Sequence, residues 1–296
     1  MSDTIYKKVT DRIIAELQKG VVPWRKPWTN SPAVNWVTQK PYQGINTLLL
    51  PPGEYATFLQ VKEAGGRVKK DEKASLVVFY KKSRVKNGTD AGDCEEDGED
   101  QRYVWYKQLS YVYEINTQCT GLESRREEVL HEHDPISEAE EIIRGYIDGP
   151  PIHFASGRAV YYPSRDVINV PPMEDYQNLE EYYCTVFHEQ IHSTGHWNRL
   201  KRSGITTNTK FGSEIYSKEE LVAEIGATML CAQCGIDNST IVNSAAYIGG
   251  WLRQLKSDPK LIFQASSQAQ KAVKYMLGIS DSAQNEEDRS DEDSAA

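Results

Sequence analysis

The sequence predicts an α+β protein built from two domains. Three observations carry that prediction. A helical repeat opens the chain and a group of aromatic, β-branched strands follows it to about residue 120. A polar, charged stretch then interrupts the pattern, and a second run of strands followed by helices begins at Ser137. The 296 residues are enough for one large domain or two ordinary ones.

Ile5, Val9, Ile13 and Leu17 recur every four residues and Gly20 follows, which predicts a first helix with a stop signal. Residues 21–53, rich in Pro, Trp and Asn, read as ordered loop or short strands. A second helix is expected over Glu54 to Ala64, ended by Gly65 and Gly66. SLVVFY (75–80), RYVWY (102–106) and SYVYEI (110–115) read as strands, because β-branched and aromatic residues suit a pleated, half-buried surface. The acidic run DAGDCEEDGED lies in the segment 87–101 that joins strand to strand, and reads as a mobile hairpin tip.

Domain one is therefore expected over 1–120 and a linker over 121–136. Domain two is expected over 137–280 and a disordered acidic tail over 281–296. SEAEEIIRGYID opens domain two as a helix with Ser137 and Glu140 in capping-box spacing. Short strands follow near 151–154, 159–162 and 166–170, then helices near 180–195, 217–234, 238–256 and 259–277.

Hydrophobic residues are 39% and charged residues 26%, which excludes a chain disordered throughout. No apolar run approaches bilayer length, and the N-terminus reads as an amphipathic helix rather than a signal peptide, so the cytoplasm is the expected compartment and no membrane partner is expected. Five irregularly spaced cysteines argue against a disulfide framework. Cys231 and Cys234 form a C-x-x-C at the end of an apolar helix, before Gly235, and packing is its favoured reading. The net charge is −9, yet residues 1–86 hold 16 Lys/Arg against 7 Asp/Glu. A basic region inside an acidic protein is a possible nucleic-acid footprint, although a solvated face explains charge alone as well.

CTVFHEQIHSTGH, residues 184–196, holds three of the six histidines. On a helix, His188 and His192 share one face a turn apart, and Glu189 stands about 100° round from His188. Neutral imidazoles at that spacing suit Zn²⁺, and a neighbouring carboxylate can act as general base. Zn²⁺ is the expected ion and another divalent cation such as Mn²⁺ the alternative. A third ligand is sought downstream, in YSKEELVAEIGA. Glu220 and Glu224 are i,i+4 there. The arrangement resembles the second helix of gluzincin peptidases, which implies Glu220 as ligand and Glu224 as the acid that orients a histidine, with the reverse order as the alternative. His196 follows Gly195, which is expected to end the helix, so His196 is read as a structural or pocket-edge residue. Tyr216 is a candidate for stabilising an oxyanion, and a substrate strand is expected to lie along an edge near Ala159–Tyr162.

Near the N-terminus, Trp24, Arg25, Lys26, Trp28 and Trp36 interleave rings with cations, and Tyr42 and Asn46 follow in KPYQGIN. Bases stack on rings while cations meet phosphates, so the cluster suits single strands. A tryptophan-rich core with basic neighbours has the same composition.

Longer strings are shared with a known family. TDRIIAELQKGVVPWRKPW, YQGIN and FLQVKEAGGRVKKDEKASLVVFYKK resemble the N-terminal domain of ArdC-type antirestriction proteins. RDVINVPP, YYCTVFHEQIHSTGH, NRLKR and FGSEIYSKEELVAEIGATML resemble their zincin-like metallopeptidase domain. The resemblance covers residues 4 to 277 roughly, without the acidic insert or the tail. It implies single-stranded DNA bound by the first domain, a metal in the second, and protection of incoming mobile-element DNA from host restriction. Trp24, Arg25, Lys26, Trp28, Tyr42 and Asn46 match its pattern as DNA contacts. Host restriction enzymes or another protein are the expected substrates of a peptidase with Glu189 as base. The alternative is a non-catalytic single-stranded-DNA-binding protein whose metal site is structural or regulatory. A nuclease is disfavoured, because the acids do not cluster for two-metal chemistry.

Overall fold

The computed structural model describes residues 2–23, 32–85, 94–97, 101–126, 135–176, 178–207, 214–236 and 245–279. The chain divides into two compact units. Unit one is Met1–Leu130 with Leu252–Phe263, and unit two is His131–Trp251 with Gln264–Ala296. A late segment thus belongs with the first unit, a grouping that a linear division of the sequence misses.

Unit one begins with α1 (Ser2–Gln18), whose Val9, Ile13 and Leu17 are buried as the four-residue repeat requires. Then come β1 (Ala33–Asn35), α2 (Ile45–Leu49), β2 (Gly53–Thr57), α3 (Phe58–Glu63) and β3 (Arg67–Val68). The long strands β4 (Ser75–Val85) and β6 (Gln101–Glu114) flank β5 (Cys94–Asp97), and α4 (Ile115–Gln118) and β7 (Cys119–Thr120) follow. The main sheet has the order β1-β2-β6-β4. β4 lies antiparallel along β6 from Ser75 opposite Val112 to Val85 opposite Arg102. β5 and β2 pair opposite ends of β6 on its other edge. Part of the acidic insert is therefore strand, while residues 86–93 and 98–100 lie outside the described residues.

The helix expected over 54–64 is half strand. Tyr55 and Ala56 are buried and pair with Glu114 and Tyr113 of β6, so tertiary pairing overrides helical propensity up to Thr57. Thr57 then caps α3: its hydroxyl accepts from Gln60 N, and the Gln60 side chain accepts from Thr57 N. Glu54, only 1% exposed, accepts from Ser124 Oγ, from Arg125 N and from Gln39 Nε2. Arg125 covers the Trp36 ring at 4.0 Å. Residues 121–126, expected as linker, are thus bonded into unit one.

Unit two opens with α5 (Pro135–Gly145) and a small sheet of β8 (Ile152–Phe154), β9 (Val160–Tyr162) and β10 (Val167–Val170). β10 is central, parallel to β8 and antiparallel to β9, which leaves β9 at an edge. A single-turn 3-10 helix, Met173–Asp175, leads to α6 (Leu179–Thr194), α7 (Ser203–Thr206), α8 (Glu214–Gln233), α9 (Ala245–Ser257) and α10 (Leu261–Met276). Asn178 caps α6 by accepting from Glu181 N at 2.8 Å. α6 ends at Gly195 as expected, but for a different reason. Its φ is −76°, so no left-handed turn is involved. A Cβ at that position would stand 2.7 Å from Ile205 Cγ1, so glycine is needed where the 202–205 segment crosses.

Among the described residues no helix is long and apolar enough to cross a membrane. Cys231 and Cys234 are fully buried free thiols. Burial pushes the Cys234 thiol up to about 12, in keeping with packing rather than ligation.

Candidate metal centre

The site is assembled by two helices forced close together. α6 and α8 approach at Gly226, where an added Cβ would fall 2.8 Å from Ile191 Cδ1 in the buried interface. That approach sets the acids of α8 against the histidines of α6. His188 Nε2 and His192 Nε2 stand 3.1 Å apart. Glu220 places Oε2 at 3.5 Å from His188 Nε2 and Oε1 at 3.5 Å from His192 Nε2. Tetrahedral ligation at about 2.0–2.2 Å puts neighbouring donors roughly 3.3–3.6 Å apart. The distances here are near that spacing, each histidine meeting its own oxygen of Glu220, and one donor atom from each of the three residues lies within 4.8 Å of the others, so this trio could hold a divalent ion.

The remaining ring nitrogens face carboxylates. His192 Nδ1 lies 3.3 Å from Glu219 Oε1, and His188 Nδ1 lies 3.6 Å from Glu224 Oε2. Glu219 is clamped in turn by Arg202, whose Nη2 donates to Oε1 at 2.7 Å and whose Nε donates to Oε2 at 3.0 Å. Arg202 also donates to Thr194 Oγ1 and to the Ile191 carbonyl, which fastens it to the last turn of α6. Such outer partners fix the tautomer and orientation of a ligating ring. The sequence reading missed Glu219 and Arg202. Counting Nδ1 atoms would have signalled that two ligating histidines need two partners, and the Glu219–Glu220 pair supplies one more acid than the ligand set uses.

Charge at the site favours a cation. Burial disfavours an imidazolium at His188, but the carboxylates of Glu220 and Glu224 outweigh it and hold the pKa well above the usual histidine range. At His192 burial again opposes charge, and Glu219 and Glu220 raise the pKa to about 9. Glu220 is held far below the usual carboxylate range, since the two histidines outweigh its desolvation. The same acids that retain protons on these rings would retain a metal ion in their place.

Glu189 is buried beside the trio and is not part of it. Its Oε2 accepts from the Tyr161 backbone N–H at 2.7 Å, so the outward edge of β9 faces the site. Tyr161 is anchored through its hydroxyl to Asp166 at 2.7 Å, and Arg199, in the turn that follows α6, grips Asp166. His196 belongs to this anchor, with Nδ1 3.8 Å from Asp166 Oδ2, and stands apart from the trio. A cleft of about 640 Å³ opens over the centre, lined by Val160 and Tyr161 on one side and by Tyr216, Ile205 and Trp197 on others.

The residues expected to contact nucleic acid fare differently. Trp24, Arg25, Lys26 and Trp28 lie outside the described residues. Tyr42 is 8% exposed and packs in the core with Tyr55, Val77 and Val112. Asn46 is 7% exposed, and its amide both donates to the Val78 carbonyl and accepts from Val78 N, each at 2.8 Å. Both side chains serve the fold, Tyr42 in the core and Asn46 bonded to the backbone of the edge strand β4, and neither is an exposed surface for a nucleic-acid strand.

Residues 137–268 match the family described as zincin-like metallopeptidase, and residues 3–113 match the N-terminal domain of anti-restriction factor ArdC. The crystal structure of the antirestriction ArdC protein of plasmid R388 is similar in its metal-free form, with a TM-score of 0.73 at 33% identity over 93% of this chain and 97% of that one. Its Mn(II)-bound form gives a TM-score of 0.71 over 94% and 98%. The uncharacterized protein y4eC of Sinorhizobium fredii (strain NBRC 101917 / NGR234) is 30% identical over 96% of this chain and 95% of its own length. A DNA primase TraC of Escherichia coli is 32% identical across 93% of this chain, which spans 27% of that relative. The two family matches in order, and relatives aligned over nearly their full length, show that the chain belongs to the ArdC antirestriction family.

Proposed function

We propose that this protein guards incoming mobile-element DNA from host restriction by binding single-stranded DNA through unit one and carrying a zinc-dependent, peptidase-type centre in unit two. One observation carries the reading of unit two: two histidines and a glutamate whose donor atoms converge within 4.8 Å, with a further carboxylate, Glu189, beside them. The Mn(II)-bound relative supports a divalent ion in this fold, with Zn²⁺ suited to the His/His/Glu donor set.

His188, His192 and Glu220 would hold the ion, with Glu219 and Glu224 at the Nδ1 atoms. A divalent cation there supplies Lewis acidity to carbonyl and water oxygens. Glu189 takes the proton of an attacking water and passes it to the leaving amine. The edge of β9 aligns an extended peptide by main-chain pairing. Tyr216, in the cleft wall, would donate to a developing oxyanion. Host restriction enzymes or another protein would be the substrate.

A second reading rests on the Tyr161–Glu189 bond itself. That contact ties β9 to α6, a purpose that requires no catalysis, and suits a binding protein with a structural metal. Glu189→Gln separates the two. Glutamine keeps an oxygen to accept from Tyr161 N–H but cannot serve as base. Loss of plasmid protection and proteolysis together, typically by 10²–10⁴-fold in rate, supports the enzyme. Full protection by Glu189→Gln with loss in His188→Ala supports the structural metal.

A further inference from the structure

We infer that single-stranded DNA lies across one face of the β4–β6 ribbon, on a ladder of tyrosines and lysines shared with α1, rather than on the KPYQGIN segment; this rests on the single-strand reading of unit one. Tyr80 stands directly opposite Lys107 and Leu76 opposite Tyr111, so Tyr80, Lys107 and Tyr111 share one face of the ribbon. The two rows are four residues apart, roughly 13 Å along the strands. α1 adds Tyr6 and Lys8 to that face. Lys107 Nζ stands 4.7 Å over the Tyr6 ring and 4.9 Å over the Tyr80 ring. Lys8 donates to the Tyr111 hydroxyl at 2.7 Å and stands 5.4 Å over its ring. Lys260, in the late segment of the same unit, lies 5.6 Å over Tyr6.

Two features make this a binding face rather than helix packing. Tyr80 is 56% exposed and Tyr111 is 49% exposed, so each leaves ring surface for a base. Among the described residues, Lys7 pairs with Asp11 and Lys19 with Glu16, whereas Lys8 and Lys107 are in no ion pair. Those two lysines meet rings and hydroxyls in place of carboxylates, which leaves their charge to be balanced by a polyanion. Exposed rings alternating with uncompensated cations fit a strand whose bases are unpaired, because a duplex offers phosphates but no base faces.

The test uses the full-length protein and a fluorescently labelled oligothymidylate at low salt, read by anisotropy. Wild type binds it better than the matching duplex. Tyr80→Ala and Tyr111→Ala each weaken binding about 5- to 150-fold, whereas Tyr80→Phe keeps the ring and stays within about twofold. Tyr106→Ala, on the opposite face of the ribbon, also stays within about twofold. Lys8→Gln, at an exposed position of α1, lowers the salt slope by about 0.7, and keeps the test decisive if a tyrosine variant fails to fold. Wild-type binding with all these variants unchanged overturns the ladder and leaves the single-strand reading standing. Wild type that binds no oligonucleotide overturns both. Equal losses in Tyr80→Ala and Tyr106→Ala, or equal affinity for duplex, overturn the assignment to this face and to stacking.

Discussion

The metal centre of unit two and the aromatic, basic cluster of unit one carry different kinds of sequence cue, and the structure treats them in opposite ways. In unit two the cue was a spacing. His188 and His192 share a face because i,i+4 positions on a helix must, and Glu220 of α8 meets them within 4.8 Å. In unit one the cue was a composition. Tyr42 and Asn46 turned inward, since nothing in a ring or an amide says which side of a sheet it will take. Ligation constrains geometry before folding is known. Stacking constrains only what remains exposed afterwards.

This contrast can be broken by mutation. The largest expected effect lies beneath the metal centre. Arg202→Ala leaves the buried Glu219 carboxylate without its clamp. A loss of about 3–5 kcal/mol in the urea unfolding of unit two is expected, and a loss under about 1 kcal/mol would show the pair to be dispensable. Gly226→Ala drives a methyl into Ile191, so a loss of about 1–3 kcal/mol is expected together with weaker metal binding. Unchanged metal affinity in that variant would show that helix spacing does not set the site.

Asn46→Ala sharpens the other side of the comparison. It strands the Val78 N–H and carbonyl, at a cost of about 1–3 kcal/mol, while DNA affinity per folded molecule should hold. A variant of normal stability with lost DNA affinity would restore Asn46 as a contact. The smallest effect is in acid. Asp166 resists protonation because Arg199 and Tyr161 outweigh its desolvation, so its folded pKa lies below the unfolded value. Its contribution is therefore complete above the usual carboxylate range and fades as pH falls through the folded pKa. Asp166→Asn should flatten that part of the acid-stability profile, and a profile identical to wild type would contradict the assignment.

How much was legible follows from the same distinction. The α+β class, the repeat of α1 and the ligand pair were readable because each has a period or a fixed offset. The helix expected over 54–64 failed at Tyr55 and Ala56, where pairing with β6 decides and no local signal reports it. The strap at 121–126 reads as polar linker because its anchor, Glu54, lies some 70 residues away. Segment 252–263 reads as part of unit two, since a contact of Thr10 with Pro259 leaves no trace in either stretch alone. Arg202 and Glu219 look like surface charges until the fold brings them together.

Unit two is expected to hold one divalent ion on His188, His192 and Glu220, with Glu189 beside it and not bound to it. Equilibrium dialysis against Zn²⁺, followed by metal analysis of wild type, Glu189→Gln and His188→Ala, tests this directly. One ion per chain is expected in wild type and in Glu189→Gln, and none in His188→Ala, with the metal-dependent rise in thermal stability following the same order. Stoichiometric zinc retained by His188→Ala, or lost by Glu189→Gln, would contradict it.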